Sequence, residues 1–462
     1  MKNYLEKRRF LVKLIYQIGR LERGAFKPIN FDIKEKIYQS QLTSFALRKF
    51  FQEQGDIARV VLIYPVSLLL NKNAQFFEGI TEEFKEIITK LLNDQTELTK
   101  YLSNPRFYFK KHPHSKEADD FIVIHSIGQY EGVNFSATLG ELVLEIFIDM
   151  FSRYQNEPFS ELYLDISSGH NIYVSALLEA GRLFLTFYKL QNFHLQNEHL
   201  KVYITFSDPI LQPYDRTFKI HEEFPLEVKV FFSYPERPFE YSLKQGYMKF
   251  AGELAKGNRK IKKYLNDLFA YGQFFYSAIK NNTPLVLYTW VYHSEKDVYK
   301  GIQILIDLLK NNLIQTYQKT PKLNFDLFRK AFLMLALYKG IIKVLKTYEI
   351  TKKEEVSISE LEEKCAEESK SFYKYFGLVQ NRNYFSQEIK NNFERNKDKF
   401  EKEYKLLKEY IGGEGEDFNP RNFLAHCGFE RNCVYVRKTC EEVLIKYKED
   451  SLKKIEKILM EY

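Results

Sequence analysis

The sequence predicts an α/β half followed by an all-α half. In the first half, short apolar runs alternate with amphipathic helical stretches, which is the pattern of a parallel sheet with crossover helices. From about Tyr241 the strand signals fade and helical periodicity continues to the end of the chain. With 462 residues, the chain is long enough for separate cores, so we expect more than one domain.

Five strands and four helices are predicted in the first half. The strands are rich in branched and aromatic residues, and the helices carry apolar residues at intervals of three and four. The predicted strands are 10–18, 58–64, 121–126, 162–165 and 201–206. The predicted helices are 39–52, 80–92, 137–151 and 172–190. This alternation predicts a Rossmann-like domain over residues 1–235, with 226–232 as an added edge strand.

The second half is predicted to be mostly helical. Strong helices are expected over 299–313 and 328–345, followed by a charged break at 351–355. Ser359 and Glu362 have the spacing of a capping box, which predicts a new helix there.

Two further interpretations complete the domain organisation. The charged stretch 391–405 is interpreted as a solvated helix face. We divide the second half into a helical or winged-helix-like connector, 236–326, and a helical domain, 327–462.

Composition narrows the class of protein. Hydrophobic residues make up 45% and charged residues 28%, which is typical of a globular chain, and the net charge of +8 favours anionic partners. No apolar run approaches the length of a membrane span, so we expect a cytoplasmic protein without membrane attachment. The four cysteines include no C-x2-C pair, so no metal site is expected.

The run Arg421-Asn422-Phe423-Leu424-Ala425-His426 carries the chemistry of RNA backbone cleavage. His426 is the candidate general base for a ribose 2′-hydroxyl, because histidine titrates near neutral pH. Arg421 offers permanently charged donors to the phosphate oxygens, and Asn422 can orient the imidazole or the phosphate. Asn419 and Pro420 are a favoured N-cap and first helical residue, which places the motif at a helix start.

The spacing of Arg421 and His426 alone is weak evidence. Arg216 and His221 repeat it without a following Asn or a glycine-rich breaker. For a bare Arg-x4-His, a solvated helix start is the favoured interpretation.

A second candidate site follows the fourth predicted strand. Asp165-Ile166 leads into Ser167-Ser168-Gly169-His170-Asn171 and then a long helix, which brings hydroxyls, a glycine and backbone amides together at a helix N-terminus. This arrangement suits an anion, although helix capping alone also explains the serines. The chain has neither the G-x-G-x-x-G nor the P-loop pattern, so ordinary dinucleotide and NTP binding lose their support.

Other loops at the same predicted sheet edge add candidates. The third strand ends near Gly128, Tyr130 and Gly132, where glycines permit close approach of a ligand and Tyr130 can stack on an adenine. An ordinary glycine turn explains these residues equally well. Gln17 and Gly19, at the end of the first strand, complete the set of candidate ligand-binding residues.

Both motifs resemble known families. The string Arg421 to Glu430 resembles the catalytic motif of HEPN ribonucleases, and Asp165 to Asn171 is similar to the loop of CARF domains, the CRISPR-associated Rossmann folds. In this order, they resemble the accessory ribonucleases of type III CRISPR systems. The resemblance implies a homodimer, with higher oligomers left open, in which two HEPN motifs face each other and cut single-stranded RNA. It also implies a cyclic oligoadenylate activator, with the tetra-adenylate as the expected size, and no other cofactor.

Two other classes remain open at this point. A CARF-linked transcription regulator would bind nucleic acid through the connector, without nuclease activity and without a need for Arg421 and His426. A HEPN toxin without nucleotide control would leave the 167–171 loop as simple helix capping.

Overall fold

The computed structural model describes residues 12–195, 200–210, 216–236, 243–313, 317, 323–413, 415 and 417–461. The chain divides into two compact units. The N-terminal unit comprises Met1–Thr186, Glu198–Lys229 and Leu309–Asp326, and the C-terminal unit comprises Phe187–Asn197, Val230–Leu308 and Leu327–Tyr462. The division into 1–235, 236–326 and 327–462 stays a prediction.

The described part of the first half contains ten strands and seven helices. The strands are β1 Val12–Ile18, β2 Ile29–Ile33, β3 Lys36–Ser40, β4 Ile57–Pro65, β5 Asp120–Ile124, β6 Ile127–Tyr130, β7 Val133–Ser136, β8 Glu161–Asp165, β9 Lys201–Ser207 and β10 Thr217–Glu222. The helices are α1 Thr43–Glu53, α2 Glu82–Asn93, α3 Gln95–Ser103, α4 Pro105–Phe109, α5 Pro113–Glu117, α6 Leu139–Asn156 and α7 Asn171–Gln191.

Eight of these strands form one mixed sheet in the order β3-β2-β10-β9-β8-β1-β4-β5, and β6 and β7 form a separate hairpin. The middle of the sheet, β9-β8-β1-β4-β5, is parallel. These are the five strands that the sequence predicts, so the α/β fold class is confirmed. Residues 10 and 11 of the first predicted strand lie outside the described residues. Since β1 and β8 are central, their carboxyl ends open at the middle of one sheet edge.

The edge of the sheet differs from the prediction. Residues 226–232 form no strand, and the predicted edge strand is wrong. The place beside β9 is taken by β10, which pairs antiparallel with it. The helix predicted from residue 39 begins at Thr43, because 36–40 form β3 in a hairpin with β2. The alternation of buried Ile29, Phe31 and Ile33 in β2, and of Phe218 and Ile220 in β10, is the signal that was missed, whereas β3 has only one buried apolar residue.

The described part of the second half is mostly helical, which confirms the second part of the fold class. Its helices are α8 Leu243–Ala255, α9 Arg259–Lys280, α10 Leu285–Thr289, α11 Glu295–Leu313, α12 Phe325–Thr347, α13 Ile358–Leu361, α14 Val379–Ile389, α15 Leu407–Ile411, α16 Pro420–Ala425 and α17 Leu452–Glu461. The predicted helices 299–313 and 328–345 lie within α11 and α12. Residues Leu335, Ala336 and Leu337 of α12 are all fully buried, so α12 is a core helix on every side.

A small antiparallel sheet interrupts this helical half. Its strands are β11 Val356–Ser357, β12 Lys405–Leu406, β13 Val434–Lys438 and β14 Val443–Tyr447, in the order β11-β14-β13-β12. Continuous helical periodicity to the C-terminus is therefore wrong for 434–447. The alternation of buried Val434 and Val436, and of Val443, Ile445 and Tyr447, is the signal that was missed.

Two local predictions in this half also need correction. The helix expected to begin with Ser359 and Glu362 begins two residues earlier, where the Ser357 side chain accepts the N–H of Glu360. The stretch 391–405 is not one helix face, since it contains two short helical turns and ends in β12. None of the helices in the described residues combines the length and apolarity needed to cross a membrane.

Candidate functional sites

The helix α16 begins where the sequence predicts. The side chain of Asn419 accepts the backbone N–H of Asn422, at 3.1 Å, and Pro420 is the first helical residue. The segment before it is held by polar contacts, since Arg431 donates to the carbonyl of Gly412 and Asn432 donates to the carbonyl of Asp417. Asn419 and Pro420 therefore fix the start of the motif.

A single aromatic side chain anchors this short helix. Phe423 is fully buried and packs against Phe418 and Tyr447, with ring centroids 5.7 and 6.1 Å apart. With Phe423 facing inward, Arg421 is exposed and Asn422 is half-buried. No carboxylate in the described part of the chain pairs with Arg421, so its guanidinium is available to a phosphate.

His426 lies at the end of the helix, and its backbone N–H donates to the carbonyl of Asn422, at 2.9 Å. Its ring is about half exposed, and Nδ1 lies 3.2 Å from Oε2 of Glu388 on α14. Asn392 donates to the same carboxylate oxygen at 2.9 Å. A carboxylate at Nδ1 favours the tautomer with hydrogen on Nδ1, which leaves Nε2 as the proton acceptor.

Sequence reasoning missed Glu388. It lies 38 residues before His426, among many charged residues, and no local pattern distinguishes it. Only the packing of α14 against the motif reveals it. The structure thus supplies a third group for the candidate catalytic set of Arg421, Asn422 and His426, and that set stays a prediction.

The N-terminal unit has an open cavity of about 560 Å³ at the carboxyl ends of its central strands. Four of the predicted ligand-binding residues line it, namely Gly19, Tyr130, Gly169 and His170. Tyr173, Asn71, Glu22 and Glu131 also line it and were missed. Burial raises the pKa of Tyr130, and the neighbouring Tyr173 raises it further, so the Tyr130 hydroxyl is neutral.

The other predicted ligand-binding residues do not line this cavity. The Ser167 hydroxyl accepts the N–H of Ser207, and the Ser168 hydroxyl donates to the carbonyl of Ile18, both at 2.9 Å. Gln17 is almost fully buried and donates to Ser168 and to Thr43.

These polar side chains tie the loop to the ends of β1 and β9. Asn171 is the exposed first residue of α7, and Gly128 is an exposed residue of β6. As ligand-binding residues, all five stay predictions.

Asp165 holds the same loop through a hydrogen bond to its backbone. It is fully buried at the end of β8, and its Oδ1 accepts the N–H of Ser167 at 2.9 Å. Burial raises the pKa of Asp165 to about 6, against the opposing effect of hydrogen bonds from Ser167 and Thr43. The loop that closes one side of the cavity is therefore held by a buried polar network.

Gly169 is the position in this loop where glycine is required. Its φ of +108° is unfavourable for other residues, and a Cβ there would lie 2.7 Å from Cβ of Ile18.

In the described residues, no three His, Cys, Asp or Glu side chains are grouped so that they could hold a metal ion.

Comparison with known families identifies a domain in each unit. Residues 13–209 match the model described as CRISPR system endoribonuclease Csx1, CARF domain, and residues 378–449 match the model of the Csx1 HEPN domain. A search of curated proteins found no match. The two matches contain the cavity with its loop and the Arg421–His426 motif, respectively.

A ligand-binding α/β domain joined to a helical RNase domain is thus the class of protein that the fold and the family models define. The chain belongs to the CARF–HEPN accessory endoribonucleases of CRISPR systems. It is an enzyme, and the matched domains imply an RNA substrate and a ligand of the cyclic oligoadenylate type.

Replacement of Gly169 by valine tests the role of the 167–171 loop in ligand binding. In Gly169→Val, the new side chain should displace the end of β1 and close part of the cavity. At an overpacking cost of roughly 1–3 kcal/mol, we expect activation by cyclic tetra-adenylate to need about tenfold more ligand, with near-normal RNA cleavage at saturation. A dose–response curve of RNA cleavage measures both quantities.

Gly55→Val is the matched control. Gly55 has a similar φ of +85°, lies between α1 and β4, and has open space around its missing Cβ. This variant should keep the parental curve. Unchanged ligand affinity and an unchanged curve for Gly169→Val would remove the 167–171 loop from sensing and leave Gly128 and Gly132 as the next candidates.

Proposed function

We propose that this protein is a cyclic oligoadenylate-activated, metal-independent endoribonuclease that cuts single-stranded RNA in type III CRISPR antiviral defence. The observation that carries the proposal is the contact between His426 Nδ1 and Glu388, at 3.2 Å. It lies at the end of a helix whose second residue, Arg421, has no carboxylate partner among the residues that the structure describes. A base oriented by a carboxylate and an exposed guanidinium in the same motif are the groups that 2′-hydroxyl attack on a phosphodiester requires.

His426 acts as the general base in this mechanism. Nε2 takes the proton of the ribose 2′-hydroxyl as its oxygen attacks the adjacent phosphorus, and Glu388 holds the ring and stabilises the imidazolium that forms. The bond from phosphorus to the 5′-oxygen of the next nucleotide breaks, this oxygen receives a proton from solvent, and His426 returns its proton to solvent. The products carry a 2′,3′-cyclic phosphate and a 5′-hydroxyl, so no water is consumed in the cleavage step.

Arg421 and Asn422 stabilise the phosphate. Phosphate oxygens gain negative charge as phosphorus takes a fifth ligand, and the planar guanidinium donates to two of them at once. The half-buried amide of Asn422 offers a donor to the same group. In the proposed homodimer two such motifs face each other, and the composite site gives each scissile phosphate a base and cations.

Activation begins at the CARF cavity. Cyclic tetra-adenylate is the proposed ligand, with Tyr130 available to stack on an adenine and Gly19 and Gly169 permitting close approach of its backbone. The ligand shifts the HEPN pair toward its active arrangement only if it binds that arrangement more tightly than the inactive one. Ligand binding and the active arrangement of the HEPN pair therefore stabilise each other.

Removal of the base should abolish activity without loss of fold. His426→Ala is expected to stay dimeric, to bind cyclic tetra-adenylate normally, and to cleave RNA about 10²- to 10⁴-fold more slowly, because a general base contributes a factor of that size. Arg421→Ala should behave in the same way. Single-turnover cleavage of a labelled RNA measures the rate, and ultracentrifugation measures the assembly.

The chain supplies a matched control for this experiment. His221 also pairs with a carboxylate, Asp208, at 2.8 Å, and Arg216 precedes it at the same five-residue spacing. His221→Ala should therefore cut RNA at the parental rate. Normal cleavage by His426→Ala would show that the proposed site is wrong.

Metal independence and product chemistry are tested together. We expect cleavage to be unchanged in EDTA and the products to carry 2′,3′-cyclic phosphate and 5′-hydroxyl ends, because the attacking group is the ribose itself. Mass spectrometry of the fragments determines the ends. Fragments with 3′-hydroxyl and 5′-phosphate ends, or activity that EDTA abolishes, would indicate attack by metal-activated water instead.

A further inference from the structure

Asn282, 144 residues before His426, lies against the turn that follows the histidine. It comes just after α9, where the helix ends in a Schellman turn: the N–H of Asn282 donates to Ile279 and that of Thr283 to Ala278. Asn282 has the left-handed φ of +58° that this turn requires. Glycine is the usual residue there and asparagine the usual alternative, so the turn accepts Asn282, and the contacts of its side chain show what it adds to the turn.

The side chain of Asn282 is mostly buried, and its amide nitrogen donates two hydrogen bonds. Nδ2 lies 2.9 Å from the carbonyl oxygen of Asn381 and 3.1 Å from Sγ of Cys427. The amide has this orientation because the Asn381 carbonyl can only accept. Burial raises the pKa of the Cys427 thiol to about 12, so the sulfur is a neutral group.

Both partners of Asn282 are connected to His426, one through the chain and the other through the helix that carries Glu388. Cys427 is the next residue in the chain, and its φ of +52° is uncommon for a residue with a side chain. Asn381 lies in the first turn of α14, two helical turns before Glu388, which holds the His426 ring. The side chain of Asn381 donates in return to the carbonyls of Ile279 and Lys280 at the end of α9.

The loop after α9 also packs directly on the turn after His426. A Cβ placed on Gly428 would lie 3.2 Å from Cβ of Thr283, so the two segments are in close contact. The side chain of Asn282 therefore joins three elements: the end of α9, the start of α14 and the turn at Cys427.

We propose that Asn282 is a positioning residue for RNA cleavage, which sets the turn after His426 and the helix that carries Glu388 at their working separation. The inference rests on the proposed role of His426. Asn282 acts through Cys427 and Asn381 rather than on the RNA, so it should affect the chemical step and leave substrate binding unchanged.

The principal test is Asn282→Gly in the full-length protein, with saturating cyclic tetra-adenylate and single-stranded RNA. Glycine satisfies the turn and removes only the side chain. Because small misplacement of a catalytic group costs up to about 10²-fold, we expect kcat to fall about 10- to 100-fold with KM for RNA unchanged. Asn282→Asp, which keeps the size and loses both donors, should show the same kcat loss.

Glu349→Gly is the matched control. Glu349 occupies the same position of an identical turn after α12, where its N–H donates to Lys346 and that of Ile350 donates to Leu345. Its φ is +54° and its side chain is exposed. Glu349→Gly should unfold at or above the parental temperature and keep the parental kcat. Asn282→Gly also loses two buried hydrogen bonds, so it should unfold at a lower temperature than the parent while remaining folded at the assay temperature.

A double-variant cycle separates positioning from general damage. If Asn282 acts through the Glu388–His426 contact, adding Asn282→Gly to Glu388→Ala should slow cleavage little further. Parental kcat in Asn282→Gly, or independent and multiplicative effects in the double variant, would overturn the inference. If either of these results is found while His426→Ala is inactive, only the role of Asn282 is wrong. If His426→Ala cleaves RNA normally, the proposed function is wrong as well.

Discussion

The geometry of the HEPN motif depends on the reversal of the chain directly after His426. Cys427 and Gly428 both have left-handed backbone angles, and the N–H of Gly428 donates to the carbonyl of Phe423 at 2.8 Å. Glycine is required there, since a Cβ would lie 2.7 Å from the Tyr447 hydroxyl. The turn ends α16 after six residues and leaves His426 at its end.

The same reversal aligns the motif with α14. It directs Phe429 inward, where its ring lies 5.5 Å from that of Phe385 on α14. Phe385 and Glu388 are three residues apart and share a face of that helix. Aromatic packing and the contact of His426 with Glu388 are therefore consequences of one turn. If the helix continued regularly through residue 426, the turn that brings Phe429 and His426 against α14 would be absent.

Much of this organisation was predictable from the sequence, and the remainder has physical causes. The five parallel strands were found because such strands are continuous apolar runs, and the start of α16 was found because Asn419 and Pro420 are specific signals. The β13–β14 hairpin was missed although its alternation was present, because helical periodicity was extended through it. The roles of Glu388 and Asn282 could not be predicted from the sequence. Glu388 is 38 residues from His426 and Asn282 is 145 residues from Cys427, and contacts between residues so far apart in the chain leave no local pattern.

Neighbouring residues of the CARF loop have different structural roles, which their residue types alone did not reveal. Ser167 and Ser168 read as ligand-binding hydroxyls in the sequence, yet in the structure they bind the ends of β9 and β1. Gly169 and His170, next to them, line the cavity. The serine side chains thus hold the loop in a fixed shape, and Gly169, which has no side chain, leaves the cavity open at the sheet edge.

We propose that a nucleotide bound at the CARF cavity controls RNA cleavage at His426. One experiment measures the cleavage rate of one single-stranded RNA without activator and with cyclic tri-, tetra-, penta- and hexa-adenylate, and measures the affinity of the protein for each ring. We predict very slow cleavage without ligand and a large increase with the ring that binds most tightly, expected to be the tetra-adenylate. Equal cleavage with and without every ring, in a protein that is folded and active, would contradict the proposed control of cleavage by the ligand.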